Sequence, residues 1–179
     1  ARSSSCSSPT RSGASPTAAW MVAGGVGLAP FAALAEALRS RGVAAVLFYG
    51  ARTRGELFYL DFFQDLGVEL VLTTEDGSLG ERGRITAPLD RRLAAQPADA
   101  PVMVYACGPE GMLAATARTA ARYSRACQVS VERIMGCGLG GCYSCVVPMR
   151  TAEGGFNHVR SCIAGPVLAA DQILWNQER

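Results

Sequence analysis

Apolar residues fall in short blocks that alternate between two spacings. Trp20-Met21-Val22-Ala23 is a continuous apolar run that ends in glycines. Such a run, with no polar alternation, suits a strand buried on both faces. After Gly24-Gly25-Val26-Gly27-Leu28-Ala29-Pro30 the spacing changes. Phe31, Leu34, Ala35 and Leu38 recur at the helical period, Pro30 suits the first turn and Gly42 marks a stop. Val43 to Tyr49 reads as the next strand, and Arg54 to Leu66 as a helix offering Leu57, Phe58, Leu60 and Phe62 to a core. Val68 to Thr73 is a third strand, Ile85 to Ala95 a helix and Val102 to Ala106 a fourth strand. Pro109 to Tyr123 follows as a helix carrying Met112, Leu113, Thr116 and Ala120, then Val129 to Glu132 as a last short strand. Thr74 to Gly83 and Pro97 to Pro101 are loops by composition.

Alternating strand and helix, with strands apolar on both faces, predicts an α/β fold: a five-stranded parallel sheet covered by helices on both sides. From about Ile134 the helical period disappears and glycine and cysteine dominate. The expected division is therefore a tail at 1–19, a nucleotide-binding α/β domain at 20–133 and a small metal-binding lobe at 134–179. The opening stretch ARSSSCSSPTRSGASPT has almost no apolar residue and cannot fold alone. It lacks the apolar segment of a secretory signal, so a disordered tail or a truncated remnant is expected, with no role for Cys6.

A chain of 179 residues is long enough to bury a proper core. The net charge of +2 leaves no electrostatic footprint for a nucleic-acid partner. No apolar run reaches the length of about eighteen residues that a membrane span needs.

The cysteines change the picture most. Cys137, Cys142 and Cys145 stand at C-x4-C-x2-C spacing, with Cys162 further on. That is the ligand pattern of a plant-type [2Fe-2S] cluster. Three of the four residues between Cys137 and Cys142 are glycine, which lets a loop curl closely around an inorganic core. Zinc competes, although structural zinc sites usually use two separate C-x2–4-C knuckles. Disulfides compete as well, although six of the seven cysteines lie beyond residue 106 and nothing else suggests a secreted scaffold. A thiol-rich cluster site implies a reducing, cytoplasmic setting. A Rieske site needs two histidines and His158 is the only one, so His158 is read as an ordinary polar residue.

The turn at Gly24, Gly25, Gly27 and Pro30 lies between a strand and a helix, where backbone N–H groups and the helix dipole can face a pyrophosphate. It departs from G-x-G-x-x-G in having Pro30 at the third position. Cys107 and Gly108 follow the fourth strand at the same edge of the sheet. Cys107 suits either a small core residue or a neighbour of a nicotinamide. Cys127 is read as core. Arg52 and Arg54 follow the second strand and Glu75 and Asp76 the third, where a nucleotide ribose or 2′-phosphate lies in such folds; they do not choose between NAD and NADP.

The order G-G-V-G-L-A-P, Y-G-A-R, T-E-D-G-S-x-G-x-x-G and C-G-P-E-G-M resembles the nucleotide-binding half of the ferredoxin–NADP reductase superfamily. The appended C-G-L-G-G-C-Y-S-C, with Cys162 and Gly165-Pro166-Val167, narrows the resemblance to the electron-transfer subunits of dihydroorotate dehydrogenase B, over roughly Trp20 to Trp175. This resemblance implies cluster ligands at Cys137, Cys142, Cys145 and Cys162, nucleotide-loop positions at Gly24, Gly25, Gly27 and Pro30, and a nicotinamide-side cysteine at Cys107. It implies a hydride exchanged between NAD(H) and FAD, and electrons passed singly through the cluster. The implied partner is the FMN-containing catalytic subunit of dihydroorotate dehydrogenase, in a heterotetramer, with net flow from dihydroorotate to NAD+. No residue is assigned as catalytic. The small subunit of an NADH-dependent ferredoxin:NADP oxidoreductase, or a sulfur-metabolism reductase, shares both modules. A zinc-stabilised binding module is the rival from another class.

Members of this family also carry an N-terminal flavin-binding barrel with an arginine–x–tyrosine–serine type motif. Only nineteen residues precede Trp20, too few for a barrel, and none carries that motif. The expectation is a truncated chain whose NADH-linked activity, alone, is weak or nil.

Overall fold

The computed structural model describes residues 18–175. The expectations for residues 1–17, Cys6 included, lie outside the described residues. The chain runs through β1 (Ala18–Gly24), a 3-10 turn (Gly25–Leu28), α1 (Ala29–Ser40), β2 (Ala44–Ala51), a second 3-10 turn (Arg54–Glu56), α2 (Leu60–Asp65), β3 (Glu69–Thr74) and β4 (Glu81–Arg82). It continues with α3 (Thr86–Ala94), β5 (Val102–Cys107), α4 (Glu110–Arg122) and β6 (Ala126–Ser130), then β7 (Val146–Arg150), β8 (Phe156–Arg160), α5 (Ser161–Ala164) and β9 (Val167–Ala169).

The main sheet has the order β4-β3-β2-β1-β5-β6-β9. All its neighbouring pairs are parallel except β6 with β9. The chain winds outward from β1 through β2 and β3, then jumps back to lay β5 on the other side of β1. The connections leaving β1 and β5 therefore diverge, and a crevice opens at their carboxyl ends, the ligand position of an open α/β sheet.

Alternation along β1 divides the core. Trp20 and Val22 face one side, with Phe48, Leu89, Leu93, Val104, Leu113 and Val129. Met21 and Ala23 face the other, with Phe31, Leu38, Leu47, Tyr49 and Phe63. Both faces are dry, which is why the strands read as unbroken apolar runs.

Four expectations need correction. The sheet has seven strands rather than five, because β4 and β9 are two- and three-residue pieces too short to carry a periodic signal. The first strand begins at Ala18 rather than Trp20, because Ala18 and Ala19, weak strand formers, are held between Ala44, Ala45, Val102 and Met103. The single helix expected over Arg54 to Leu66 is a 3-10 turn and a short α2, divided at Tyr59, whose left-handed φ of 57° cannot continue a helix. The last strand of the parallel set is Ala126–Ser130 rather than Val129 to Glu132, because Ala126 and Cys127 pair with Met103 and Val104 while the chain leaves the sheet after Ser130.

The C-terminal segment builds the β7–β8 hairpin and returns β9 to the sheet edge. Its Val147, Met149, Leu168 and Ile173 join the same buried cluster as the helix α4 face of the sheet. The C-terminal segment is thus packed against the core of the main sheet. Among the described residues, no helix is long and apolar enough to cross a membrane.

Candidate functional site

At the carboxyl ends of β1 and β5 lies a cleft of about 660 Å³, lined by Gly24, Gly25, Val26 and Gly27 from one turn and Cys107, Gly108 and Pro109 from the other. Ser130, Val131, Glu132, Arg133, Met135 and Pro166 form its far wall. A second hollow of about 290 Å³ shares Gly108, Pro109, Glu132 and Arg133, so the two form one crevice. The two turns touch closely. A Cβ on Gly27 would stand 2.2 Å from the Cys107 carbonyl oxygen and 2.6 Å from the Gly108 nitrogen. Only glycine lets the first turn lie this near the second strand end. Gly25 instead has φ +54° and open space beside it.

Cys107 is half-buried and opposes Ala23 on β1 and Ser130 on β6. Burial pushes its thiol above the ordinary value, with a smaller opposing effect from Ser130. It is a neutral, weakly polar wall of the cleft rather than a nucleophile. Pro30 opens α1 and is exposed; neither it nor Arg52 lines the cleft. Arg52 lies beyond the end of β2 and is held by Glu56: Nη2 to Oε1 at 2.5 Å and Nε to Oε2 at 3.2 Å, while its backbone N–H donates to Oε2 at 3.1 Å. The Arg54 N–H donates to Ser78 Oγ at 2.7 Å, and Ser78 donates in turn to Asp76. The loops after β2 and β3 are therefore tied together.

Several contacts in and around the crevice carried no sequence signal. Tyr49 is fully buried, and its hydroxyl donates to the Glu56 carbonyl at 3.1 Å with the Gly25 carbonyl at 3.4 Å. It thus fixes the Arg52 turn beside the glycine turn. Arg133 reaches across to Glu110 at the start of α4, at 3.1 Å. The Val131 N–H donates to the Pro166 carbonyl at 3.0 Å, which pins the far wall to the C-terminal lobe. Such contacts join positions remote in sequence, and no local pattern announces them.

The wall segment Glu132 to Met135 runs directly into the cysteine loop. Cys137 and Cys142 are exposed, Cys162 is partly covered and Cys145 is buried. Cys142 feels Cys137 and Cys145 feels Cys162, so the four thiols fall as two neighbouring pairs. Cys162 also feels the charge of Cys137. The Leu139 and Gly141 N–H groups donate to Cys137 Sγ at 3.4 and 3.3 Å. Hydrogen bonds from Ser144, then from Cys137, pull the Cys142 thiol down to about 6. Within the second pair the influence of Cys162 pulls Cys145 below the ordinary thiol value, and that of Cys145, with burial, pushes Cys162 above it. Arg160 braces the loop: its guanidinium donates to the Gly140 carbonyl at 2.6 Å and lies 4.8 Å over the Tyr143 ring.

Among the described residues, no three His, Cys, Asp or Glu side chains close on a single metal ion. Two thiol pairs with N–H groups turned toward sulfur suit a core with two irons, each taking two thiolates. His158 lies on the outer strand of the hairpin against Phe156, with ring centroids 5.6 Å apart. Cys127 packs against the core, where burial, then the charge of Asp171, pushes its thiol up to about 12.

Comparison with known proteins agrees with this geometry. Residues 21–118 match the oxidoreductase NAD-binding domain, and residues 132–174 match the iron–sulfur cluster binding domain of dihydroorotate dehydrogenase B. The dihydroorotate dehydrogenase B (NAD(+)) electron transfer subunit of Caldanaerobacter subterraneus subsp. tengcongensis is 35% identical over 155 residues, 87% of this chain and 58% of that protein. The probable subunit of the same kind from Archaeoglobus fulgidus is 39% identical over 160 residues, 88% of this chain and 62% of that protein. The chain thus spans less than two thirds of the length of these relatives. Among solved structures, that of an NADH-dependent reduced ferredoxin-NADP oxidoreductase aligns with a TM-score of 0.74 at 27% identity, over 90% of this chain and 56% of that one.

Proposed function

The chain belongs to the oxidoreductase NAD-binding domain family and joins that domain to an iron–sulfur cluster-binding domain of the dihydroorotate dehydrogenase B type; on that footing we propose that it is the electron-transfer component of a flavin-dependent dihydroorotate dehydrogenase. NAD(H) occupies the cleft between β1 and β5. Its pyrophosphate lies on the turn of Gly24, Gly25 and Gly27, in front of the helix that Pro30 opens. Cys107 and Gly108 flank the nicotinamide, and Arg52 stands at the adenosine end. Cys137, Cys142, Cys145 and Cys162 hold a [2Fe-2S] cluster. A nicotinamide trades a hydride and a [2Fe-2S] cluster single electrons, so FAD joins the two, since a flavin does both. The remote partner is the FMN of a dihydroorotate dehydrogenase catalytic subunit, in a heterotetramer and a cytoplasmic setting.

One observation carries this reading: the segment from Glu132 to Met135 walls the nucleotide cleft and continues without a break into Cys137. The two sites are therefore near neighbours, as stepwise electron transfer requires. Leu139 and Tyr143, 86% and 58% exposed beside the thiols, are apolar candidates for the partner contact.

Anaerobic purification with iron and sulfide tests the centre. About two irons per chain and a red-brown visible spectrum are expected; a colourless, zinc-containing protein refutes it. Mixing with a dihydroorotate dehydrogenase catalytic subunit and FAD tests the partner, through reduction of NAD+ by dihydroorotate. The likeness to the ferredoxin-NADP oxidoreductase structure favours a second reading, the small subunit of such an enzyme. Failure of dihydroorotate to reduce NAD+ in the mixed complex, with ferredoxin succeeding, selects it.

A further inference from the structure

One hydroxyl on the cysteine loop is directed at a ligand sulfur by its other contact. Ser144 Oγ lies 3.0 Å from Cys142 Sγ. The same oxygen accepts the Gly136 N–H at 3.0 Å. A metal-bound thiolate accepts hydrogen bonds and cannot donate them. With Gly136 donating into its oxygen, the Ser144 proton is left pointing at Cys142. The arrangement is tightly built: a Cβ on Gly136 would stand 3.2 Å from both Cys142 Sγ and Ser144 Oγ. The neighbouring ligand Cys137 takes its hydrogen bonds from backbone N–H groups, which no side-chain substitution removes.

We infer that Ser144 is a positioning residue that raises the reduction potential of the cluster held by Cys137, Cys142, Cys145 and Cys162. The inference rests on the cluster assignment proposed above. Reduction adds one electron from a flavin or a mediator dye and no proton. The added negative charge spreads onto the sulfurs, so a donor to Cys142 Sγ stabilises the reduced form more than the oxidised one. The hydroxyl keeps its proton throughout. Removing it leaves the thiolate facing water at an exposed site, where a water molecule replaces part of the interaction. The loss is therefore on the order of tenfold in electron affinity, about 59 mV for a one-electron couple.

The test uses the anaerobically reconstituted chain with Ser144→Ala and Ser144→Thr, and an EPR-monitored redox titration. Ser144→Ala should keep the iron content and visible bands of the parent while its midpoint falls. Ser144→Thr, which keeps the hydroxyl, should restore the midpoint. An unchanged midpoint in Ser144→Ala, or a Thr variant that behaves like Ala, overturns the inference. Should Ser144→Ala lose iron, Ser144→Gly gives the same comparison, because it too deletes the hydroxyl, and the same downward shift is required. Failure of the parent chain to assemble any cluster is a different result and refutes the cluster assignment itself.

Discussion

Gly27→Ala is the most direct perturbation of the crevice. The new methyl would stand 2.2 Å from the Cys107 carbonyl oxygen, 2.4 Å from its carbon and 2.6 Å from the Gly108 nitrogen. These separations are about 1 Å or more short of ordinary non-bonded contact. The atoms in the way are backbone, and Cys107 is held in register beside Ala23 by the β1–β5 ladder. A core side chain that meets flexible neighbours costs about 1–3 kcal/mol when overpacked, and rigid backbone puts this site at the upper end, about 3 kcal/mol. For a domain of this size that lowers the melting midpoint by roughly 6–12 °C. Gly25→Ala is the matched control. There φ is +54° with no atom within 4 Å, so only the left-handed backbone penalty applies, about 1 kcal/mol or roughly 2–4 °C. Differential scanning fluorimetry of both variants, with NADH titrated by fluorescence, measures the contrast. If Gly27→Ala melts with the parent and binds NADH equally well, the close approach of the two turns does not exist in solution.

Two further outcomes follow from the charges. Cys127 keeps its proton from the ordinary value of 9.0 up to about 12 because burial, then Asp171, penalises the thiolate. Below 9.0 both folded and unfolded chains are protonated at this site. Above it the unfolded chain releases the proton and the folded one does not, so stability falls as pH rises through that window. Thermal midpoints across alkaline pH should therefore decline more steeply in the parent than in Cys127→Ala, and parallel curves would contradict the burial. Glu56→Gln removes the carboxylate that clamps Arg52 and frees the guanidinium for a 2′-phosphate. Fluorescence titration should show NADPH binding rise a few-fold relative to NADH, a modest change because the pair is exposed to water. An unchanged ratio would show that Arg52 does not stand near the adenosine ribose.

The dry, unbroken runs at Trp20–Ala23 and Val102–Ala106 announced central strands because both faces of the sheet are covered. The helix at Phe31–Leu38 was equally plain, since its apolar positions repeat on one face. Arg54 to Leu66 misled because its apolar residues mimic a helix, while the left-handed backbone of Tyr59 that interrupts it leaves no mark on that apolar spacing. The edge strands β4 and β9 were invisible because two- and three-residue pieces carry no period and exist only by pairing with the sheet edge.

The site divides in the same way. The spacing of Cys137, Cys142 and Cys145 and the glycines of the β1 turn are local, so the candidate chemistry was legible residue by residue. The far wall from Ser130 to Met135, the Tyr49 hydroxyl under the glycine turn, the Arg160 brace and the Ser144 contact were not. Each depends on a wall or loop geometry that the residue pattern does not spell out, even where, as at Ser144 and Cys142, the partners are close in the chain. The sequence by itself determined which chemistries the chain can hold, because ligand type and loop flexibility are properties of short segments. Tertiary structure alone decided that the segment leading into the cysteine loop walls the cleft, because that wall is made where β6 leaves the sheet and the C-terminal segment packs back against it.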